Sequence, residues 1–166
     1  MKFIALFRRP EWLTLLLALG VGGPSLLEAW RQAPLEAGSA VCMAVWLLPL
    51  GRHLVKSRFQ AASRSSGIFT AAALALLVIG GAADLNFIKH GALALAFAAV
   101  APHCDVRQLG WLAVAPAWMP AMGWLAAGWP SGPVAAARLL ACAVGAAIYF
   151  FAREIPATDS SPDPSA

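Results

Sequence analysis

Long apolar runs, separated by charged or proline-containing stretches, are the main pattern of this chain of 166 residues. A helix that crosses a membrane needs about 20 mostly apolar residues, and the stretch from Thr70 to Ala83 contains no charge. The predicted spans are residues 12–29, 37–54, 67–83, 87–101, 109–129 and 133–152. The pattern predicts an all-α, polytopic transmembrane helical bundle of about six spans, with four or five spans as the fallback.

Prolines interrupt two of the predicted spans, and the composition of the C-terminal residues predicts where the helical domain ends. Pro24 predicts a kink in the first span, because proline lacks the backbone donor and clashes with the preceding turn. Pro116 and Pro120 interrupt the fifth span. We expect residues 1–152 to form a single transmembrane helical domain. Residues 153–166 contain prolines and serines without apolar periodicity and are predicted to be a disordered tail.

The composition excludes most soluble classes of protein. Hydrophobic residues make up 60% of the chain and charged residues 12%, about half the ~25% usual in soluble domains. A water-soluble enzyme, a disordered protein and a nucleic-acid binder are excluded on this basis. The net charge of +4 is then interpreted as a topology signal, and the expected partners are membrane lipids, with no nucleic acid.

The distribution of lysine and arginine predicts the orientation. Placing the N-terminus in the cytoplasm puts the cationic loops on that side and leaves only Arg31 and Lys89 on the opposite side. This bias is strong by the positive-inside rule and requires an even number of spans. We expect both termini to be cytoplasmic, in a multi-pass protein of the cell membrane, specifically a bacterial inner membrane.

Charged and polar residues toward the outer face form a predicted outer polar patch. Arg138 lies inside the sixth span, where a charge costs ~2.5–3.5 kcal/mol on insertion scales, and Asp84 or Glu28 is its expected partner. The simpler interpretation is that Arg138 reaches the headgroups and the other residues cap the interface. The alternative is an outward cleft that holds a peptide or a lipid headgroup. The patch consists of Glu28, Asp84, Lys89, His90 and Arg138.

A basic inner loop is the second candidate site. Arg52, Lys56, Arg58 and Arg64 occur there without an acidic residue. Such a loop can bind anionic lipid headgroups, or it can do no more than fix the topology. No metal site, no cofactor and no catalytic residue is predicted, because the histidines and cysteines lack the spacing of known motifs.

Small and aromatic residues predict how the helices pack. Helices in lipid associate through faces of small residues, and these faces are also the expected contacts with other membrane proteins. The interior Trp46, Trp118 and Trp124 are interpreted as packing between helices, whereas Trp111 is placed at the inner boundary. The predicted small-residue faces are Ala71, Ala72 and Ala75 in the third span, Gly91, Ala94 and Ala98 in the fourth, and Ala137, Ala141 and Gly145 in the sixth.

Four features recur along about two thirds of the chain. They are an outer segment, residues 28–39, a basic inner loop, residues 52–64, the pair Gly80 and Gly81, and a span with Pro-x-x-x-Pro, residues 116–120. In these features the chain resembles the N-terminal part of the exosortase and archaeosortase family. The resemblance implies a multi-pass protein related to enzymes that cut and transfer proteins bearing a C-terminal sorting helix. The family's catalytic Cys-Arg-His region is missing, since Cys142 lacks the Ser-Gly pair that follows the family's cysteine.

The functional prediction follows from these observations. We expect a small multi-pass inner-membrane protein that acts as a non-catalytic subunit or accessory in envelope protein assembly or export. One alternative is a truncated exosortase-like transpeptidase or protease with Cys142 as nucleophile. Another is a small transporter or channel subunit with a path past Arg138 and Asp84.

Overall fold

The computed structural model describes residues 9–32, 38–56, 64–101, 106–120, 125 and 128–151. These residues form six α-helices and one short 3-10 helix, and no strand occurs among them, so the all-helical prediction is confirmed. The helices are α1 Pro10–Gln32, α2 Ser39–Lys56, α3 Arg64–Ala82, α4 Asn86–Val100, α5 Val106–Ala113, the 3-10 helix Ala115–Trp118 and α6 Ser131–Phe151. The predicted tail, residues 153–166, lies outside the described residues.

Two helices have the length and apolar composition needed to cross a membrane. These are α1 and α6, with 23 and 21 residues. Three shorter apolar helices lie between them, at Ser39–Val55, Ser66–Ala82 and Asn86–Val100. Membrane association is therefore supported by two helices, and the number of spans stays a prediction.

The fifth predicted span is not one continuous helix. The α-helix α5 ends at Ala113, and the chain tightens into the 3-10 helix that contains Pro116. Proline has no N–H to donate to the carbonyl four residues earlier and clashes with it, so the α-helical ladder stops just before this residue. By contrast, α1 continues through Pro24.

Helices α3 and α4 form a hairpin on which α1 packs. The three helices approach most closely at Lys89, near the start of α4. A Cβ on Gly22 would lie 3.2 Å from the Lys89 carbonyl oxygen, and a Cβ on Gly80 would lie 3.0 Å from its backbone nitrogen. Glycine at both positions therefore permits contact between helix backbones.

Helices α2 and α6 lie side by side and run in the same direction. Near their first turns, a Cβ on Gly38 would lie 3.6 Å from the Ala135 Cβ. Near their last turns, the Arg52 guanidinium lies 5.3 Å from the centre of the Phe150 ring. Helix α5 and the 3-10 helix pack against this pair.

A buried aromatic cluster joins the two groups of helices. Trp46 of α2 and Trp111 of α5 are fully buried and stacked, with ring centroids 4.1 Å apart and planes 3° apart. Each indole N–H donates to the other residue's carbonyl oxygen, at 2.8 and 2.7 Å. Trp46 also contacts Phe97 and Trp118. Packing of Trp46 and Trp118 is thus confirmed, and Trp124 lies outside the described residues. Trp111 is buried between helices, and its depth in the membrane stays a prediction.

The small-residue faces are correct for one helix and displaced on two others. Ala94 and Ala98 of α4 are buried as predicted. On α3, Ala71 and Ala75 are exposed, and the buried face contains Ala73 instead. On α6, Gly145 is buried and Ala137 is exposed. Alanine is common on every side of these helices, so its spacing alone does not select the packed side.

Candidate functional site

The turn between α3 and α4 provides the frame of the site. Asp84 has φ +51°, in the left-handed region, which Asp and Asn adopt more readily than most residues. The Leu85 N–H donates to the Gly80 carbonyl at 3.0 Å, the six-to-one bond of a Schellman cap with Asp84 at the position usually taken by glycine. The cap ends α3 and places the Asp84 carboxylate at the start of α4.

An ion pair spans this turn. The Lys89 ammonium lies 2.5 Å from a carboxylate oxygen of Asp84 and donates to the Asn86 side-chain oxygen at 3.3 Å. The Lys89 side chain is 12% exposed and that of Asp84 is 90% exposed. The hydrogen bond from Lys89, and then its charge, hold the pKa of the Asp84 carboxyl below its ordinary value. Asp84 therefore stays ionised when the solution becomes mildly acidic.

His90, the next residue of α4, points into the protein toward α1. It is 2% exposed, and its Nε2 lies 3.2 Å from the Ser25 hydroxyl oxygen. That hydroxyl also donates to the Gly22 carbonyl at 3.1 Å. A polar contact between two helices thus replaces the exposed loop position expected for His90. Ser25 was not among the predicted site residues, because no local sequence signal pairs it with a residue 65 positions away.

Glu28 lies one turn after Ser25, on the exposed end of α1. Its carboxylate accepts a hydrogen bond from the Gln32 amide at 2.8 Å. A cavity of about 500 Å³ lies beside it. The cavity has an apolar wall and a rim of both charge signs, a combination that suits an amphipathic segment or a lipid headgroup. Its lining residues are Pro24, Leu27, Glu28, Arg31 and Gln32.

Arg138 does not pair with Asp84 or Glu28, so that prediction is wrong. The side chain is 5% exposed, and its Nε donates to the Ala117 carbonyl at 2.6 Å while Nη2 donates to the Met119 carbonyl at 3.1 Å. Carbonyls at the end of a helix lack partners within it and carry partial negative charge. The 3-10 helix thus supplies the buried guanidinium with acceptors that the linear sequence does not reveal.

The structure therefore divides the predicted outer patch. Asp84, Lys89 and His90 lie together at the α3–α4 turn, and Glu28 lies on the neighbouring α1. Arg138 belongs to the group formed by α2, α5 and α6.

The basic inner residues are described in part. Arg52 is exposed and lies over the Phe150 ring. Lys56 ends α2 and Arg64 begins α3, whereas Arg58 falls outside the described residues.

Two cysteines lie buried between α2 and α6. Cys42 is 1% exposed and Cys142 is 0% exposed, and neither forms a disulfide. In the described part of the chain, no group of three or more His, Cys, Asp or Glu residues has the arrangement of a metal site.

Searches against protein-family models, curated proteins and solved structures find no match to this chain. The exosortase resemblance therefore remains a prediction from the sequence.

Proposed function

We propose that the chain is a multi-pass integral membrane protein of a bacterial inner membrane that serves as an accessory subunit in envelope protein assembly or export. The observation that carries the membrane part is the exposure of many large apolar side chains on helices whose interior holds buried polar groups. The envelope role derives from the exosortase resemblance.

Large apolar side chains lie on the outside of the helices. On α1, Leu17 is 54% exposed and Leu27 is 52% exposed, and on α3 Val78 is 71% exposed. Leu140 of α6 is 66% exposed. Monomeric soluble proteins rarely expose such apolar surface continuously, whereas hydrocarbon is a favourable solvent for it.

Polar side chains are buried inside the bundle. Ser66 is 3% exposed and donates to the Ala99 carbonyl at 2.6 Å, and Gln108 is 1% exposed and donates to the Ala98 carbonyl at 2.6 Å. Polar side chains in membrane helices face the bundle interior and bond to backbone carbonyls or to one another. This arrangement supports a bundle with lipid around it.

An exposed small-residue face on α3 supports a helix of another membrane protein as the partner. Gly67, Ala71 and Ala75 recur at intervals of four residues and are all exposed, and a Cβ on Gly67 would have no neighbour within 4 Å. Small residues at this spacing let a second helix approach closely. Arg52, at the end of α2, supports contact with anionic lipid headgroups on the cytoplasmic side.

Topology reporters test the membrane proposal. A phosphatase active only outside the cytoplasm and a fluorescent protein active only inside it are fused in turn to each terminus. We expect both ends to report the cytoplasm. Ends on opposite sides, or a protein that stays monodisperse without detergent, would contradict the multi-pass arrangement.

The accessory role is tested separately, in a strain that lacks the chain and secretes an envelope reporter protein. The variant Ala71→Leu/Ala75→Leu should fail to restore secretion, because bulk on this face blocks the partner helix. Ala143→Leu, at an exposed alanine of α6, is the control and should restore it. Equal restoration by both variants would refute the role of the α3 face.

A further inference from the structure

The exposed side of α1 combines an apolar stripe with a charged end. Leu13, Leu17 and Val21 are 46%, 54% and 42% exposed, and their spacing of four residues places them on one side of the helix. Pro24 and Glu28 continue this side at intervals of three and four residues and are also exposed. The residues that α1 buries against α3 and α4 are centred on the opposite side. The stripe is therefore left for an occupant other than these two helices.

The charged end of this side borders the cavity of about 500 Å³. Glu28 and Arg31 are three residues apart and are therefore neighbours on the helix surface. The Gln32 amide donates to the Glu28 carboxylate at 2.8 Å, which orients the carboxylate. Among the described residues, neither Glu28 nor Arg31 has an ion-pair partner. The cavity thus offers one anionic and one cationic group side by side.

The apolar stripe matches one leaflet of a bilayer in length. From Leu13 to Pro24 the helix rises about 16 Å, and half of the ~30 Å hydrocarbon core is about 15 Å. Trp30 follows the stripe along α1, and tryptophan prefers the level of the headgroups. A lipid whose acyl chain lies along the stripe would therefore have its headgroup at the cavity.

We propose that this side of α1 is a binding site for phosphatidylethanolamine, with the phosphate at Arg31 and the primary ammonium at Glu28. A guanidinium donates charge-assisted hydrogen bonds to phosphate oxygens, and a carboxylate accepts them from an ammonium. The headgroup of phosphatidylcholine has no N–H to donate to Glu28. Phosphatidylglycerol has no cation to offset the Glu28 charge. The pair of opposite charges therefore selects the ethanolamine headgroup.

The test adds lipids with identical acyl chains to the full chain in detergent and counts bound lipid by native mass spectrometry. We expect one phosphatidylethanolamine per chain, bound roughly three- to tenfold more tightly than phosphatidylcholine. Glu28→Gln should remove this preference, because a neutral amide does not attract the ammonium. Arg31→Gln should weaken the binding of both lipids, because both carry the phosphate.

Two variants outside the cavity are the matched controls. Asp84→Asn removes the same charge as Glu28→Gln, and Arg52→Gln removes the same charge as Arg31→Gln. Both positions are exposed and neither lines the cavity. Each control should keep the preference for phosphatidylethanolamine.

Three results would overturn the proposal. These are equal binding of the two lipids by the wild type, an equal loss of preference in Asp84→Asn and Glu28→Gln, or a dimer that excludes lipid from this side of α1. The proposal rests on the membrane part of the proposed function. Topology reporters on the wrong sides would contradict that membrane part, whereas loss of selectivity in a correctly inserted chain contradicts this site alone.

Discussion

Substitution of Gly145 by alanine tests the close contact between α6 and the residue that follows α5. A Cβ at Gly145 would clash with the Val114 Cγ2 and would lie 3.4 Å from the Val114 Cβ. Val114 occupies the junction of α5 and the 3-10 helix, so the added methyl group would push this junction away from α6. The backbone of Gly145 is helical and its φ is not positive, so the expected loss comes from the contact alone.

The magnitude follows from two opposing contributions. Overpacking of a well-packed interior costs typically ~1–3 kcal/mol. Alanine is better than glycine inside a helix by about 0.8–1 kcal/mol. The expected net loss is about 1 kcal/mol, within a range of about 0–2 kcal/mol, which corresponds to a decrease of roughly 3 °C in melting temperature for a chain of this size.

Thermal unfolding in detergent, followed by circular dichroism, measures this loss. Gly20→Ala is the matched control, because Gly20 lies inside α1 and a Cβ there has no neighbour within 4 Å; this variant should be neutral or slightly stabilised. Truncation of the opposing side chain supplies the decisive comparison. The double variant Gly145→Ala/Val114→Ala should be as stable as Val114→Ala alone, or more stable. If the two losses simply add, the residues do not interact, and the reasoning is refuted.

Three further predictions concern buried polar groups and the α3–α4 ion pair. Trp46→Phe should lower the unfolding free energy by about 2 kcal/mol, because it removes a buried hydrogen bond to α5. Trp118→Phe should lower it less, since the Trp118 indole N–H has no hydrogen-bond partner in the described region. Arg138→Met should lower the unfolding free energy by about 2–3 kcal/mol by leaving two carbonyls unpaired, and Arg138→Lys should recover part of it; equal stability of Met and Lys variants would contradict this. Lys89 lowers the pKa of Asp84, so the pair stabilises the fold above the ordinary carboxyl pKa of ~4 and ceases to do so as the pH falls through the lowered value. Asp84→Asn, which keeps a residue suited to positive φ, should therefore reduce the melting temperature at neutral pH and leave it unchanged at strongly acidic pH.

The positions of the helices were largely predictable from the sequence. The second predicted span, residues 37–54, corresponds to α2 Ser39–Lys56, and the fourth, residues 87–101, corresponds to α4 Asn86–Val100. Continuous apolar runs and the prolines at their ends carry this information, because both act within a few residues of their position. The turn at Asp84 was also correctly placed between two helices.

Interactions between distant segments were not predictable in the same way. The predicted partner of Arg138 was wrong because its acceptors are backbone carbonyls. Every residue has a backbone carbonyl, so the sequence does not indicate which ones accept. The stacking of Trp111 on Trp46 was not predicted, because it depends on the packing of α2 against α5. The Ser25–His90 contact was not predicted either, because it depends on how α1 packs against α4.

The polar contacts explain why a bundle that exposes so much apolar surface has a defined internal arrangement. Apolar attraction between helices is weak when the surrounding solvent is also apolar, so Leu and Val on the outer faces do not select one partner helix over another. Hydrogen bonds do select, because an unmet donor in such surroundings costs more than it would in water. Ser66 on Ala99, Trp46 on Trp111 and Arg138 on Ala117 each join a different pair of elements. We therefore expect these contacts to specify which helices are neighbours, while the glycines determine how closely the helices approach.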